Sequence, residues 1–411
     1  MFRSQAVFLT LLYALTLHAA ARLTATGTVV DESTKEPIAG ATVLVHSAGV
    51  RTGYDQFCPT CYLDCGKRAV TDAEGRFSIE GLSPELIFTM LVVKDGYGSA
   101  FIRKHDPEKG QPAATGLKKR ASAADLKQVV RGKVVDGQGK PVKEALISQQ
   151  GIQFGEGRRF GDIDWIDLVA VSNREGEFEM AYGKPATAMV LEVAPRGMAP
   201  TLVTLATGGE RHTVTVTDGA TIRGRLVSGG KPVANADMLL TTHSRYSGNV
   251  YQDVRIGTNA DGEFAITNVP PGRVWDLSPR MESLAPKGLA APVTFVATKD
   301  DGHEVQVGDI QARPAHTVRG RIVLADGSPI PSGMRLGLSP DSGGDRQVAM
   351  LPADGAFEFH GVGKGVYTLS PAVKGYRARN ADYGIEFLVE GDVDQFNITL
   401  HPVKPATPAK P

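Results

Sequence analysis

The chain has 411 residues and carries 45 Lys and Arg against 45 Asp and Glu, so its formal net charge is zero. Basic residues are spread along it, which argues against nucleic acid or an anionic membrane surface as partner. With 47 Gly and 25 Pro among many short apolar runs, the composition is that of a turn-rich, all-β globular protein with several domains.

The first element, residues 1–21, reads as a secretory signal peptide. Arg3 supplies the positive start, residues 6–17 are almost wholly apolar, and Ala19, Ala20 and Ala21 offer a small-residue cleavage site. The apolar run falls short of the roughly 20 residues a spanning helix needs. The mature chain is therefore expected to be secreted or periplasmic (extracytoplasmic), with no membrane span.

From there one two-part signature recurs four times. Its first part is a strand with a central glycine, followed by a Pro that opens a second strand: Gly27 with Pro37, Gly132 with Pro141, Gly224 with Pro232, Gly320 with Pro329. Its second part is a glycine turn and a Phe two residues on: Gly75 and Phe77, Gly176 and Phe178, Gly262 and Phe264, Gly355 and Phe357. Asp72, Asn173 and Asn259 stand three residues before their glycines, where an Asx side chain bonds the backbone of a tight turn. Pro352 takes that place in the last copy, so its turn is expected to differ. After each Phe the alternation Phe77/Ile79, Phe178/Met180, Phe264/Ile266, Phe357/Phe359 predicts a strand with one buried and one wet face.

The period, about 90 to 105 residues, is the size of a domain rather than of a solenoid repeat. The predicted organisation is four tandem β-sandwiches of about seven strands each. They cover residues 22–104, with a cysteine loop, then 128–218, 219–312 and 313–402. A charged linker, 105–127, follows the first, and a disordered Pro/Ala/Lys-rich tail, 403–411, ends the chain. The short joints at residues 217–220 and 312–315 predict a rod of limited bending. No long helical periodicity occurs; one short turn is expected near residues 121–127.

The combination of Gly-x-Val-x-Asp, Pro-Val/Ile-x-Gly-Ala-x-Val and Thr-Asp-x-x-Gly-x-Phe resembles the carboxypeptidase regulatory-like domain. The resemblance implies a transthyretin-like (prealbumin-type, Ig-like) sandwich grouped with carbohydrate-binding-like folds, and a non-catalytic module on a secreted or envelope protein. The peptidase of the family name is a separate domain in those enzymes, and none is legible here.

Residues outside the signature are the candidates for chemistry. Cys58, Cys61 and Cys65 are the chain's three cysteines and share one loop. In a secreted protein they predict one intraloop disulfide with a remaining thiol. A zinc site is the alternative, Cys-x-x-Cys being a zinc spacing that needs further donors such as His46, Asp55 or Asp64; a thiol-dependent activity is another. The equivalent loops of the next two copies carry Asp162, Asp164 and Trp165, then Tyr246 and Tyr251. Acids and aromatics there suit a sugar ring or a Ca²⁺ ion, or else cap the sandwich and face solvent. His105 and Glu108 match a His-x-x-Glu zinc pair by chance, and Asn397 lies in a sequon that reads as strand. The functional expectation is a non-catalytic binding protein for a carbohydrate or an extracellular protein. Its alternatives are a structural spacer or interaction rod without a small ligand, and a metal- or thiol-dependent activity at the cysteine loop.

Overall fold

The computed structural model describes residues 22–60, 62–119, 128–161, 163, 166–242, 252–341, 345–379 and 384–403. Their regular structure is almost wholly β. The first unit holds β1 (Leu23–Asp31), β2 (Thr42–Val50), β3 (Arg68–Val70), β4 (Arg76–Leu82), β5 (Leu86–Val93), β6 (Ala100–His105) and β7 (Ala113–Leu117). They form two facing sheets, ordered β4-β1-β7 and β3-β2-β5-β6. Val29, Val43, Phe77, Ile79, Phe88, Met90 and Leu117 fill the space between them. Each such side chain, fully buried, contributes about 1.5–3 kcal/mol of hydrophobic stabilisation.

The same arrangement recurs three times, each with its own core. In every unit the opening strand pairs antiparallel with the Phe strand and parallel with the closing strand. Val129–Val135 lies between Glu177–Ala181 and Arg211–Thr215. Ala220–Ser228 lies between Glu263–Val269 and Glu304–Gln311. His316–Leu324 lies between Ala356–Val362 and Val393–Pro402.

The register explains the recurring residues. Each opening-strand glycine sits directly opposite its Phe: Gly27 and Phe77, Gly132 and Phe178, Gly224 and Phe264, Gly320 and Phe357. A Cβ on Gly27 would lie 2.6 Å from the Phe77 ring, one on Gly132 2.5 Å from Phe178 and one on Gly224 2.7 Å from Phe264. The missing side chain is the seat of the ring, a cross-strand pairing in which the aromatic covers the glycine. The turn glycines have φ near +70°, and a Cβ on Gly75 would meet the Val29 carbonyl at 2.5 Å.

Two expectations are corrected. The first half of the supposed linker 105–127 belongs to the first unit: a 3₁₀ turn, Pro107–Lys109, leads into β7, which pairs with β1 and buries Ala113 and Leu117. In that half the charges Asp106, Glu108 and Lys109 lie at the turn, and the strand that follows it is uncharged. The turn expected near residues 121–127 lies outside the described residues. The units also do not form an open rod, because the first and fourth touch. Leu44, Leu91 and Val93 of the first unit pack on Leu146 and Val169 of the second. Asn268 of the third donates to the Gly197 and Asp218 carbonyls, both at 3.0 Å. A short helix of the third unit, Met281–Leu284, places Met281 in the fourth unit's core. The fourth contact, between the last unit and the first, closes the circuit.

Candidate functional site: the cysteine loop and its dock

Residues 51–67 leave β2 and return to β3 as a long loop, anchored to its own unit by buried polar bonds. The Pro59 carbonyl accepts the Ala48 N–H at 2.8 Å, and the Val45 backbone exchanges bonds with Gly66 and Lys67. Asp64, only 2% exposed, accepts from Lys67 Nζ at 2.5 Å and from the Ser83 N–H at 3.1 Å. A buried carboxylate persists because it is paired in this way.

The other end of the loop docks on the fourth unit. The Tyr54 N–H donates to the Gly333 carbonyl at 3.0 Å, and Arg335 Nη1 donates to the Thr52 carbonyl at 2.7 Å. Gly53 and Gly333 meet backbone to backbone; a Cβ on Gly53 would lie 1.9 Å from the Gly333 oxygen. Arg346 grips Asp55 with both terminal nitrogens, at 3.2 and 3.0 Å, and its guanidinium lies 4.6 Å over the Phe57 ring. The Tyr62 hydroxyl donates to the same carboxylate at 3.2 Å, and Tyr62 meets Phe57 edge-on at 5.0 Å. Tyr54 packs against the fourth unit's core. Bidentate geometry between side chains only 13% and 4% exposed makes this a stronger contact than a surface ion pair.

The electrostatics agree with the geometry. Burial alone would raise the Asp55 pKa, but the hydrogen bonds and charge of Arg346 outweigh it and hold the carboxyl below its ordinary value. Burial, with the Asp55 charge beside it, pushes the Tyr62 hydroxyl up to about 12.

Of the three cysteines, Cys58 Sγ lies 3.3 Å from the Thr60 hydroxyl. The Cys65 thiol donates to the Pro59 carbonyl at 3.4 Å and packs on the first unit's core. Cys61 lies outside the described residues. Of the further zinc donors named from sequence, Asp55 is turned to Arg346 and Asp64 to Lys67, while His46 meets Phe101 edge-on at 5.4 Å. Among the described residues no three His, Cys, Asp or Glu side chains gather as a metal site would require.

Asp162, Asp164, Trp165, Tyr246 and Tyr251 also lie outside the described residues. Beside the first three, Ile163 and Ile166 are buried in the second unit's core, and the Asp167 carboxylate accepts the Ala181 N–H at 2.8 Å. In the His-x-x-Glu pair, Glu108 binds Arg51 at 2.5 Å, and burial lowers the His105 pKa. A cleft of about 110 Å³ between the first two units is lined by Asp95, Arg131, Glu177, Glu179 and Arg211. Arg131 pairs with Glu179 on the neighbouring strand, and Arg211 pairs with Glu177 across the opening strand that lies between theirs, both at 2.6 Å.

Sequence reasoning missed the docking partners Arg335 and Arg346 and the seat at Gly333. The two arginines lie 283 and 291 positions from their partners, and no local pattern marks so distant a contact. The one available signal was the loop itself, where Asp55, Phe57 and Tyr62 form an acid and aromatic cluster beside the cysteines.

Comparison with known proteins adds the following. Residues 24–116 match the family model of the carboxypeptidase regulatory-like domain, so the match ends inside β7. No curated protein matches the sequence. Among solved structures, the Bacillus anthracis TIE protein is 11% identical, over 93% of this chain and 75% of that one, with a TM-score of 0.21. A streptococcal ancillary pilin is 14% identical over 68% and 100%, with a TM-score of 0.24. The minor pilin GBS52 of Streptococcus agalactiae is 12% identical over 47% and 99%, also with a TM-score of 0.24.

Proposed function

Starting from a first unit that is a carboxypeptidase regulatory-like domain, we propose that the chain is a non-catalytic, secreted or envelope-associated binding protein. Its β-sandwiches are a scaffold, and the loops between each second strand and Phe hairpin present the ligand site. One observation carries this reading: the recurring residues are all engaged in making the fold. The glycines seat Phe rings or form turns, and Asp72, Asn173 and Asn259 cap those turns. The units differ in their loops, so the loops are where individual function belongs.

The ligand class is a carbohydrate or an extracellular protein, met by Asp162, Asp164 and Trp165 of the second unit and Tyr246 and Tyr251 of the third. Aromatic rings beside acids stack on a sugar face and bond its hydroxyls. A glycan array and a pull-down from extracellular fractions test this with the mature protein and with Trp165→Ala and Tyr246→Ala. Binding lost in both variants is expected; binding that survives both refutes the loop assignment.

Cys58 and Cys61 are proposed to form a disulfide, leaving Cys65 as the thiol. Support comes from the short Cys-x-x-Cys spacing of the two residues and from the hydrogen bond Cys65 donates to the Pro59 carbonyl. Zinc at this loop and a thiol-dependent activity are the competing readings; stoichiometric zinc in purified protein with three alkylatable thiols would replace the disulfide. A purely structural role is favoured by one feature, the apolar contact of Leu44, Leu91 and Val93 with Leu146 and Val169, which fixes two units side by side.

A further inference from the structure

We propose that the chain is two halves joined by a hinge and a clasp, and that two copies exchange halves. In the resulting reciprocal dimer, residues 52–57 of each copy seat on the fourth unit of the other.

The four joints of the circuit carry this, because they alternate in chemistry. The first and second units meet through apolar side chains, Leu44, Leu91 and Val93 against Leu146 and Val169. The third and fourth meet in the same way. Met281 lies in the fourth unit's core, and Gly361 and Gly363 seat Ala285 and Ala290. A Cβ on Gly361 would fall 2.6 Å from the Ala285 Cα, and one on Gly363 3.3 Å from the Ala290 Cβ. Parting either joint would return apolar surface to water.

The other two joints are polar. Between the second and third units, Asn268 Nδ2 donates to the Gly197 and Asp218 carbonyls at an exposed place. Among the described residues no core cluster spans these two units. Between the fourth and first stand the Arg346 fork on Asp55, the Arg335 bond to the Thr52 carbonyl and the Tyr54 amide on Gly333. Tyr54 adds a ring against the fourth unit's core. Carboxylate, guanidinium and backbone groups find water when parted, so these joints open at lower cost than the apolar pair.

The molecule therefore divides into a first-and-second half and a third-and-fourth half. Their covalent link is residues 217–220, where Gly219 has φ +78°. Their non-covalent link is the clasp, and one short segment makes it. Thr52, Tyr54 and Asp55 bond the fourth unit, and Phe57 lies under the Arg346 guanidinium. The same segment of a second copy would meet the same groups. The two sides of the clasp are different surfaces, and every copy carries both. Two copies that exchange halves satisfy both clasps in a closed pair and need no new contact. Within one chain the effective concentration of the segment is on the order of mM. Exchange is thus expected where the contact within the chain is weakened.

A charge-reversed pair of variants of the protein, Asp55→Arg and Arg346→Asp, tests this. Alone, each sets like charges at its clasp, within the chain and between identical copies. Mixed, Asp55 of one variant meets Arg346 of the other, and the two substituted side chains meet with opposite charge. Gel filtration with light scattering reads the mass, and native mass spectrometry with one variant ¹⁵N-labelled reads the composition. Exchange of the Val29 and Ile322 amides, bonded within the first and fourth units, shows that both units are folded in each variant. Each variant alone is expected to be monomeric, and the mixture to hold dimers with one copy of each, associating at least about tenfold more tightly than either with itself. Asn268→Ala, which removes the two bonds at the hinge, should speed formation of the mixed dimer about tenfold. A mixture that stays monomeric overturns the exchange. Dimers equally abundant in each variant alone overturn it too, since they would not use the clasp. A rate unmoved by Asn268→Ala overturns the hinge at residues 217–220.

Discussion

The third and fourth units close the same hairpin with different chemistry. In the third, Asn259 Oδ1 accepts the Asp261 and Glu263 amides at 3.0 and 2.8 Å, and buried Thr258 accepts the Ala236 N–H while donating to the Val233 carbonyl. The first two units repeat this with Asp72 and Thr71 and with Asn173 and Ser172. In the fourth, Pro352 and Leu351 occupy these positions and Asp354 Oδ1 accepts one amide, that of Ala356, at 3.2 Å; the Leu351 N–H donates to the Met334 carbonyl just as the Thr258 N–H donates to that of Ala236. Two features of the turn glycine do not vary. The turn glycine keeps φ between +71° and +78°, and its carbonyl accepts the N–H of the opening strand at Val29, Val134, Leu226 and Ile322. The side-chain bonds are therefore replaceable, whereas the left-handed glycine is fixed by geometry.

The largest expected effect follows from that difference. Gly262→Ala and Gly355→Ala both place a Cβ at positive φ, which alone costs about 1–2 kcal/mol. The new Cβ would lie 2.5 Å from the Leu226 carbonyl oxygen in the third unit and 1.9 Å from that of Ile322 in the fourth. Both changes should destabilise their own unit by about 3 kcal/mol or more, the fourth more than the third. Exchange of the Leu226 and Ile322 amides reads each unit separately; equal, small effects would show that the turn relaxes and that the glycine is not required.

A middle-sized effect is expected from the hydroxyl. Thr258→Val keeps shape but strands the Ala236 N–H and the Val233 carbonyl in a buried place, at a cost of about 1–3 kcal/mol. Leu351→Thr, the reverse change, should not stabilise the fourth unit, since Leu351 is buried in that unit's core and the change would remove apolar surface from it. A gain of stability in Leu351→Thr, measured by denaturant unfolding followed through unit-resolved exchange, would mean that the fourth hairpin is a defective copy rather than an alternative solution.

The smallest effect separates the first unit from the second. The first turn uses a carboxylate, and the Arg76 N–H, together with the Arg76 side chain, lowers the Asp72 pKa. A depressed folded-state pKa stabilises above the ordinary aspartate value of about 3.9, and that contribution is lost as pH falls through the lower folded value. Asn173 does not titrate. Acidification below about pH 4 should therefore raise Val29 exchange relative to Val134 after correction for intrinsic rates, and Asp72→Asn should abolish the difference. A difference that persists in Asp72→Asn would place its cause elsewhere.

Much of the fold was legible because its determinants are local. Gly75 and Phe77 are two residues apart, and so are a turn and the strand it starts; Thr71, Asp72 and Gly75 write the hairpin within five positions. β7 was harder, since the charged turn before it resembles a linker and its own signal is the two buried positions Ala113 and Leu117. The contact of Asp55 with Arg346 was not legible at all: both residue types are ordinary on a loop, and only the folded chain brings them together. The rod expected from the short joints failed for the same reason, because joint length limits bending but does not set its direction.

Small-angle X-ray scattering of the protein tests the central claim, the closed circuit of units, most directly. A compact pair-distance distribution with one maximum and no long tail is predicted, with Arg346→Ala shifting it toward greater length. The drawn-out tail of four units end to end, the same in both proteins, would contradict closure through the cysteine loop.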